Sequence, residues 1–242
     1  MNVIISKTKK ELGYKAAENG TKLINEAIKK NGKANIIVAT GASQFEMLSE
    51  LIKMDIDWSK VTGFHLDEYI GLPMTHLASF RKYLKERFVD KININQFFYV
   101  NGDNEPIQEC ERLANVINQH PIDVAFVGIG ENSHLAFNDP PADFETSAPY
   151  LVVELDADCK KQQMSEGWFK TINDVPQKAI SMSIKQIMKS ENIICSVPDS
   201  RKAWAVQKTV ENNVTNQYPA SILQNHKNTW LYLDKGSATN LH

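Results

Sequence analysis

Short apolar runs alternate with stretches of helical spacing along almost the whole chain. Asn35–Ala39 (NIIVA), Val61–Leu66, Phe97–Val100, Val124–Val127, Asn192–Val197 and Thr229–Leu233 have the length and composition of strands. Leu151–Leu155 and Ala179–Met182 read as extended, the second leading into a short helix to Met188. Ser43–Met54 places Phe45, Leu48, Leu51 and Ile52 on one helical face, and Glu105–Gln119 does the same with Ile107, Leu113, Val116 and Ile117. Ala78–Val89 and Arg201–Val210 also read as helices. The opening MNVIISKTKKELG reads as a first strand or its approach, and the polar stretch Asp156–Pro176 as a mobile helix-loop segment. Strands that are apolar on both faces and alternate with helices predict an α/β fold, a central parallel sheet with helices on both faces. No repeat, low-complexity tract or linker divides the chain, so one domain over 1–242 is expected.

Composition narrows the classes. The 242 residues are 42% hydrophobic and 23% charged, with a formal net charge of −2. That is globular composition, and no strong field points to nucleic acid or to an anionic membrane. No apolar run approaches the ~20 residues that span a bilayer. The first residues lack the charge-then-apolar order of a signal peptide. Cys110, Cys159 and Cys195 are odd in number and far apart, which argues against a disulfide framework or a zinc site and for the cytoplasm.

In an open parallel sheet, ligands bind beyond the carboxyl ends of the strands. Four predicted strands end in useful groups. The first ends in Thr40-Gly41-Ala42-Ser43, small residues before a helix, where free N–H groups favour an anion; an ordinary turn capped by Ser43 is the alternative. The second ends in Asp67-Glu68-Tyr69, whose adjacent carboxylates are costly to bury unless used, or else form a solvated turn. The third ends in Gly128-Ile129-Gly130, followed by His134 and, five residues on, Asp139, spacing that lets a carboxylate fix a histidine's tautomer. The fourth leads to Arg201-Lys202 in a first helical turn, where cations oppose the macrodipole unless an anionic ligand sits there. For Arg201 alone, a side chain reaching out to solvent is the preferred reading. An anion cradle, a carboxylate, a histidine and a lysine on one rim fit a phosphorylated substrate undergoing proton transfer. The chain shows no P-loop, HExxH or GxSxG motif.

At these four places the chain resembles the glucosamine-6-phosphate deaminase family, which includes 6-phosphogluconolactonase-like relatives. Thr40–Ser43 is similar to the family's phosphate loop, Asp67-Glu68-Tyr69-Ile70-Gly71-Leu72 to its DEY-[IV]-GL motif, and Gly128 through His134 to Asp139-Pro140 to its GxGxxGHxAFNEP motif. The resemblance implies a Rossmann-like sheet with a small additional layer, no cofactor and no metal. It implies conversion of an amino-hexose 6-phosphate to fructose 6-phosphate and ammonia. By motif, Asp67 would carry the proton between C2 and C1, His134 would assist ring opening, and Asp139 would orient His134. Glu68 falls within the substrate-binding motif, Lys202 falls where the family has a phosphate-binding lysine, and Lys160 roughly where it has a lid arginine. Asn132, Ser133 and Asp139 stand where the family has aspartate, glycine and glutamate, and Asn132 and Asp139 both alter the charge around His134. The chain also ends soon after its last strand, at His242, where allosterically regulated hexameric members have an extension. Beside the deaminase stand a galactosamine-6-phosphate isomerase, a 6-phosphogluconolactonase-like hydrolase and a non-catalytic sugar-phosphate sensor. The expected partner is a small sugar phosphate, with a homo-oligomer open.

Overall fold

Apolar side chains on both faces put the predicted strands inside the molecule. The computed structural model describes all residues, Met1–His242. In chain order the elements are β1 (Asn2–Ser6), α1 (Lys9–Asn31), β2 (Ala34–Val38), α2 (Phe45–Leu51), β3 (Val61–His65), β4 (Asp67–Tyr69), α3 (Phe80–Arg87), β5 (Gln96–Phe98) and α4 (Pro106–Ile117). They continue with β6 (Val124–Val127), β7 (Tyr150–Glu154), α5 (Ala157–Ser165), β8 (Lys178–Met182), α6 (Ile184–Met188), β9 (Asn192–Val197), α7 (Ala203–Glu211) and β10 (Thr229–Asp234). Seven strands form one sheet in the order β1-β10-β9-β6-β2-β3-β5, every pair parallel. Adjacent β2 residues feed opposite cores: Ile37 joins the cluster beneath α4, α6 and α7, and Ile36 and Val38 the one beneath α1 and α2. This is the α/β architecture that the alternation predicts.

Two elements differ from the sequence reading. Residues Lys9–Gly13, read with the first strand, open the 23-residue helix α1. Its buried face is built of Leu12, Gly13, Ala16, Ala17, Gly20, Ile24 and Ala27, so small residues hide the apolar stripe. The helix lies too close to its neighbours for larger ones: a Cβ on Gly20 would sit 2.4 Å from the Phe126 ring. Second, Asp67–Tyr69 is not a loop after a strand but β4, which pairs antiparallel with β8, itself antiparallel to β7. This three-stranded sheet is the small additional layer. Its turn of the chain directly after β3 carries Asp67 to the carboxyl edge of the large sheet.

The strand order reverses between β2 and β6, since β3 and β5 follow on one side and β9 and β10 on the other. A crevice forms at such a switch point. Here the loops after β2 and β6 flank it.

Candidate active site

A cleft open to solvent occupies that crevice. It is lined by Thr40, Gly41, Ala42 and Ser43 after β2, Asp67 at β4, Gly128–Gly130 and His134 after β6, and Lys202 after β9. The four strand ends singled out in the sequence therefore meet. Gly41 holds a φ of 92°, a left-handed conformation that favours glycine, and it starts the tight turn Ala42–Gln44.

Asp67 is 5% exposed and accepts no hydrogen bond within the protein. Burial, and then the charge of Glu68, push its carboxyl up to about 8. An unpartnered carboxyl of this kind in a cleft is suited to taking and returning a proton.

His134 is seated by its own loop. Its ring lies against Gly130, where a Cβ would fall 2.3 Å from Nε2. Its Nδ1 is 3.1 Å from Asp139 Oδ1, an electrostatic contact off the axis of a good hydrogen bond, which leaves Nε2 for a ligand. Burial pushes the Asp139 carboxyl up. The pull of His134, Asn132 and the Asp156 amide outweighs it, so Asp139 lies below its usual range. Ser133, beside the histidine, has a φ of 70°, the backbone state that a glycine takes without strain.

Asn132 stands outside the cleft lining. Its Nδ2 donates to Asp139 Oδ1 (3.0 Å) and Asp156 Oδ2 (3.2 Å), and its Oδ1 accepts from the His134 amide (3.1 Å). It is a positioning residue: its amide group links two carboxylates that an aspartate would repel.

Lys202 is 5% exposed, lines the cleft and makes no ion pair within 4.0 Å. Burial pulls its pKa down, while Glu166 and Glu131 act the other way. A buried ammonium without a partner calls for an anion.

Two expectations need correction. Glu68 does not reach the cleft. It is 0% exposed, and its carboxylate accepts from the amides of Tyr69 (2.9 Å), Phe80 (3.2 Å) and Arg81 (2.7 Å), from Ser79 Oγ (2.9 Å) and from Arg81 Nε (3.4 Å). It anchors β4 to the start of α3, where an anion complements the helix dipole. Lys160 does not line the cleft either. The buried face of α5 is Cys159, Gln162 and Gln163, at i, i+3 and i+4, which turns Lys160 aside. Arg201 is exposed, as expected, and it also lines the cleft, pairing with Asp199 Oδ1 (3.2 Å) and Glu131 Oε1 (3.7 Å).

The sequence reading missed Lys9, Glu46, Gln162, Gln163 and Glu166. Lys9 reaches the cleft by pairing with Asp199 at 2.8 Å, a contact across 190 positions that no local pattern announces. The two glutamines tie α5 over the cleft: Tyr69 Oη donates to Gln163 Oε1 (2.7 Å) and the Glu131 amide to Gln162 Oε1 (2.8 Å). Fold and register also gather His134, Asp139 and Cys159 within 4.8 Å, a set of potential metal donors that the spacing did not reveal. Burial, with the charges of Asp139, Asp156 and Asp67, pushes the Cys159 thiol well above its usual range, so a metal there has to displace a tightly held proton.

Comparison with known proteins accords with this geometry. The family model described as "Glucosamine-6-phosphate isomerases/6-phosphogluconolactonase" matches residues 7–232. A glucosamine-6-phosphate deaminase of Bacillus cereus is 33% identical over 236 residues, 97% of this chain and 87% of the relative. One from Bacillus anthracis is 34% identical with the same coverage. A solved monomeric glucosamine-6-phosphate deaminase superposes with a TM-score of 0.89 at 29% identity, over 99% of this chain and 100% of the other. A 6-phosphogluconolactonase from Trypanosoma brucei shares the fold, with a TM-score of 0.80 at 16% identity over 100% of this chain and 98% of the other.

Proposed function

The chain belongs to the glucosamine-6-phosphate isomerase/6-phosphogluconolactonase family, and we propose that it is a glucosamine-6-phosphate deaminase-type enzyme. The substrate is an amino-hexose 6-phosphate, and the products are fructose 6-phosphate and ammonia. The observation that carries this reading is Asp67: a buried, unpartnered carboxyl facing the same cleft as His134 and an unpaired Lys202. Lactone hydrolysis needs a base for water but no carboxyl that shuttles a proton between two carbons, so this group favours isomerisation.

The phosphate lies against Thr40–Ser43 with Lys202 supplying the positive charge. His134 moves the proton between the C1 hydroxyl and the ring oxygen, opening the sugar, with Asp139 holding the ring in place. Asp67 then takes the C2 proton. The electron pair left behind forms the C1–C2 double bond, and the former carbonyl oxygen gains a proton, giving an enolamine. Asp67 returns its proton to C1, C2 becomes an iminium, and water replaces it with release of ammonia. No step requires a redox partner. An ammonia assay on epimeric amino-hexose 6-phosphates, with 6-phosphogluconolactone as the comparison, tests the reading. Ammonia and ketose phosphate formed in equal amounts support it; lactone hydrolysis without ammonia overturns it.

Two further outcomes follow from the site. Replacing Lys202 by Ala raises KM about tenfold or more, the worth of a charge-assisted contact, with a smaller change in kcat because phosphate is held in ground and transition states alike. An unchanged KM removes Lys202 from the phosphate site. The second is the pH profile. Asp67 is protonated below about 8 and is a base only above it. Hence kcat/KM rises with pH through an apparent pKa near 8. An acid limb at 4 to 5 would mean that an ordinary, solvated carboxylate is the base.

A further inference from the structure

The phosphate end of the cleft holds a carboxylate that anion binding does not explain. Glu166 follows α5 and lines the cleft together with Lys202 and Arg201. Its position is built rather than incidental. Gln162 Nε2 donates to Oε1 at 2.9 Å and Trp168 Nε1 to Oε2 at 3.3 Å. Both donors are neutral, and no cation lies within ion-pair distance of it. Two of the other acids here have other uses: Asp199 binds Lys9 and Arg201, and Glu131 approaches Arg201 at 3.7 Å. Among the charged residues lining this end, Lys9, Arg201 and Lys202 are balanced by Glu46, Glu166 and Asp199. A cradle meant only to hold a dianion gains nothing from an acid fixed in the same cleft as its buried lysine. Of the surrounding carboxylates, Glu166 acts most strongly on Lys202.

We infer that Glu166 sets the charge preference of the phosphate subsite, weakening its hold on dianionic phosphate relative to the monoanion. Without a bound anion, the Glu166 carboxylate is held by neutral donors alone and faces the same cleft as Lys202. An entering dianion competes with it and is repelled by it. A monoanion meets half of that repulsion. The second ionisation of a phosphate monoester falls near pH 6, and that of inorganic phosphate about one pH unit above it, so the subsite favours each ligand on the acid side of its own value.

The inference rests on the proposed function only in placing phosphate in this subsite, so the test uses inorganic phosphate and needs no turnover. Calorimetric binding is measured at pH 5.5 and 7.5 for wild type, Glu166→Gln and Glu166→Asp. Glu166→Gln is expected to tighten phosphate at pH 7.5 by about three- to thirtyfold, the scale of one charge acting on a dianion several ångströms away at intermediate dielectric. The gain shrinks at pH 5.5 and at high salt. Glu166→Asp keeps the charge and stays close to wild type. With an active enzyme the gain appears in KM for the sugar phosphate rather than in kcat. Unchanged or weakened phosphate binding in Glu166→Gln overturns the inference. So does a Glu166→Asp variant that tightens as much, since the effect is then one of packing. Tightening in a protein that releases no ammonia from any amino-sugar phosphate would sink the deaminase reading and leave this one standing.

Discussion

Asp67→Asn lowers kcat by about 10²–10⁴-fold, the usual contribution of a positioned general base, while sugar-phosphate binding persists. The substitution is nearly isosteric and sits at the bottom of the cleft, where Asp67 makes no hydrogen bond that an amide would break. On the proposed reading phosphate is held by Lys202 and the Thr40–Ser43 loop, so KM changes little by comparison. Stability separates loss of a base from loss of fold. The folded carboxyl holds its proton up to about 8, whereas the unfolded one releases it near 4. The folded state therefore binds the extra proton between those values, and wild type loses stability as pH rises from about 4 to 8. Asparagine does not titrate. The variant is accordingly more thermostable than wild type at pH 8 and above, and the gap closes towards pH 4. A variant that is inactive but less stable at pH 8 would point to a structural role for Asp67.

Glu68→Ala, one residue along, fails for the opposite reason. It removes a buried carboxylate that accepts five hydrogen bonds and leaves the Arg81 guanidinium without its buried partner. Breaking such a pair costs about 3–5 kcal/mol, which for a chain of this size corresponds to a fall in Tm of roughly 6–20 °C. Arg81 also holds Leu72 O and Asp103 (both 2.9 Å), so the damage spreads to the Ile70–Pro73 turn. Glu68→Gln keeps the shape and some of the acceptors and loses less. Thermal unfolding of the two variants checks this. An Ala variant with wild-type Tm and a raised KM would restore Glu68 to the substrate site.

Much of the fold was legible because the buried strands advertise themselves. Val124–Val127 and Asn192–Val197 have in the structure the bounds read from the sequence, since each is a largely apolar run preceded by an acid, Asp123 or Glu191, and followed by a breaker, Gly128 or Pro198. α1 was not legible by hydrophobicity, because close packing against Phe126 and Glu46 demands Gly and Ala on its inner face. Its ends were nevertheless marked: Thr8 accepts from the Glu11 amide, and Gly32 closes the helix in a left-handed conformation. β4 is three residues long and pairs with β8, more than 100 positions away, so no local pattern predicts it.

The site was legible at its strand ends and not on the segment that covers it. The loops holding Thr40–Ser43, His134 and Lys202 follow strong strands, so the switch-point rule places them together. The adjacent carboxylates Asp67 and Glu68 look equivalent in the sequence. They diverge because successive residues of a strand point to opposite faces, one to the cleft and one into the packing beneath α3. On α5 the charge of Lys160 marks it in the sequence, yet the helical register turns Gln162 and Gln163 inward. Asn132 looks like a loss when compared with the family motif. In the structure it lets Asp139 and Asp156 share one amide group, which also begins α5, since Asp156 caps that helix.

The central claim is that Asp67 carries a proton from C2 to C1 of an amino-hexose 6-phosphate. Turnover of glucosamine 6-phosphate in heavy water, with C1 of the product followed by NMR and ammonia measured alongside, tests it most directly. Wild type is predicted to release ammonia in step with fructose 6-phosphate that carries at one C1 position the hydrogen taken from C2, diluted by solvent deuterium to the extent that Asp67 exchanges before returning it, while Asp67→Asn, folded and binding phosphate, forms neither on that timescale. Fructose 6-phosphate and ammonia formed by Asp67→Asn at a near wild-type rate would contradict it.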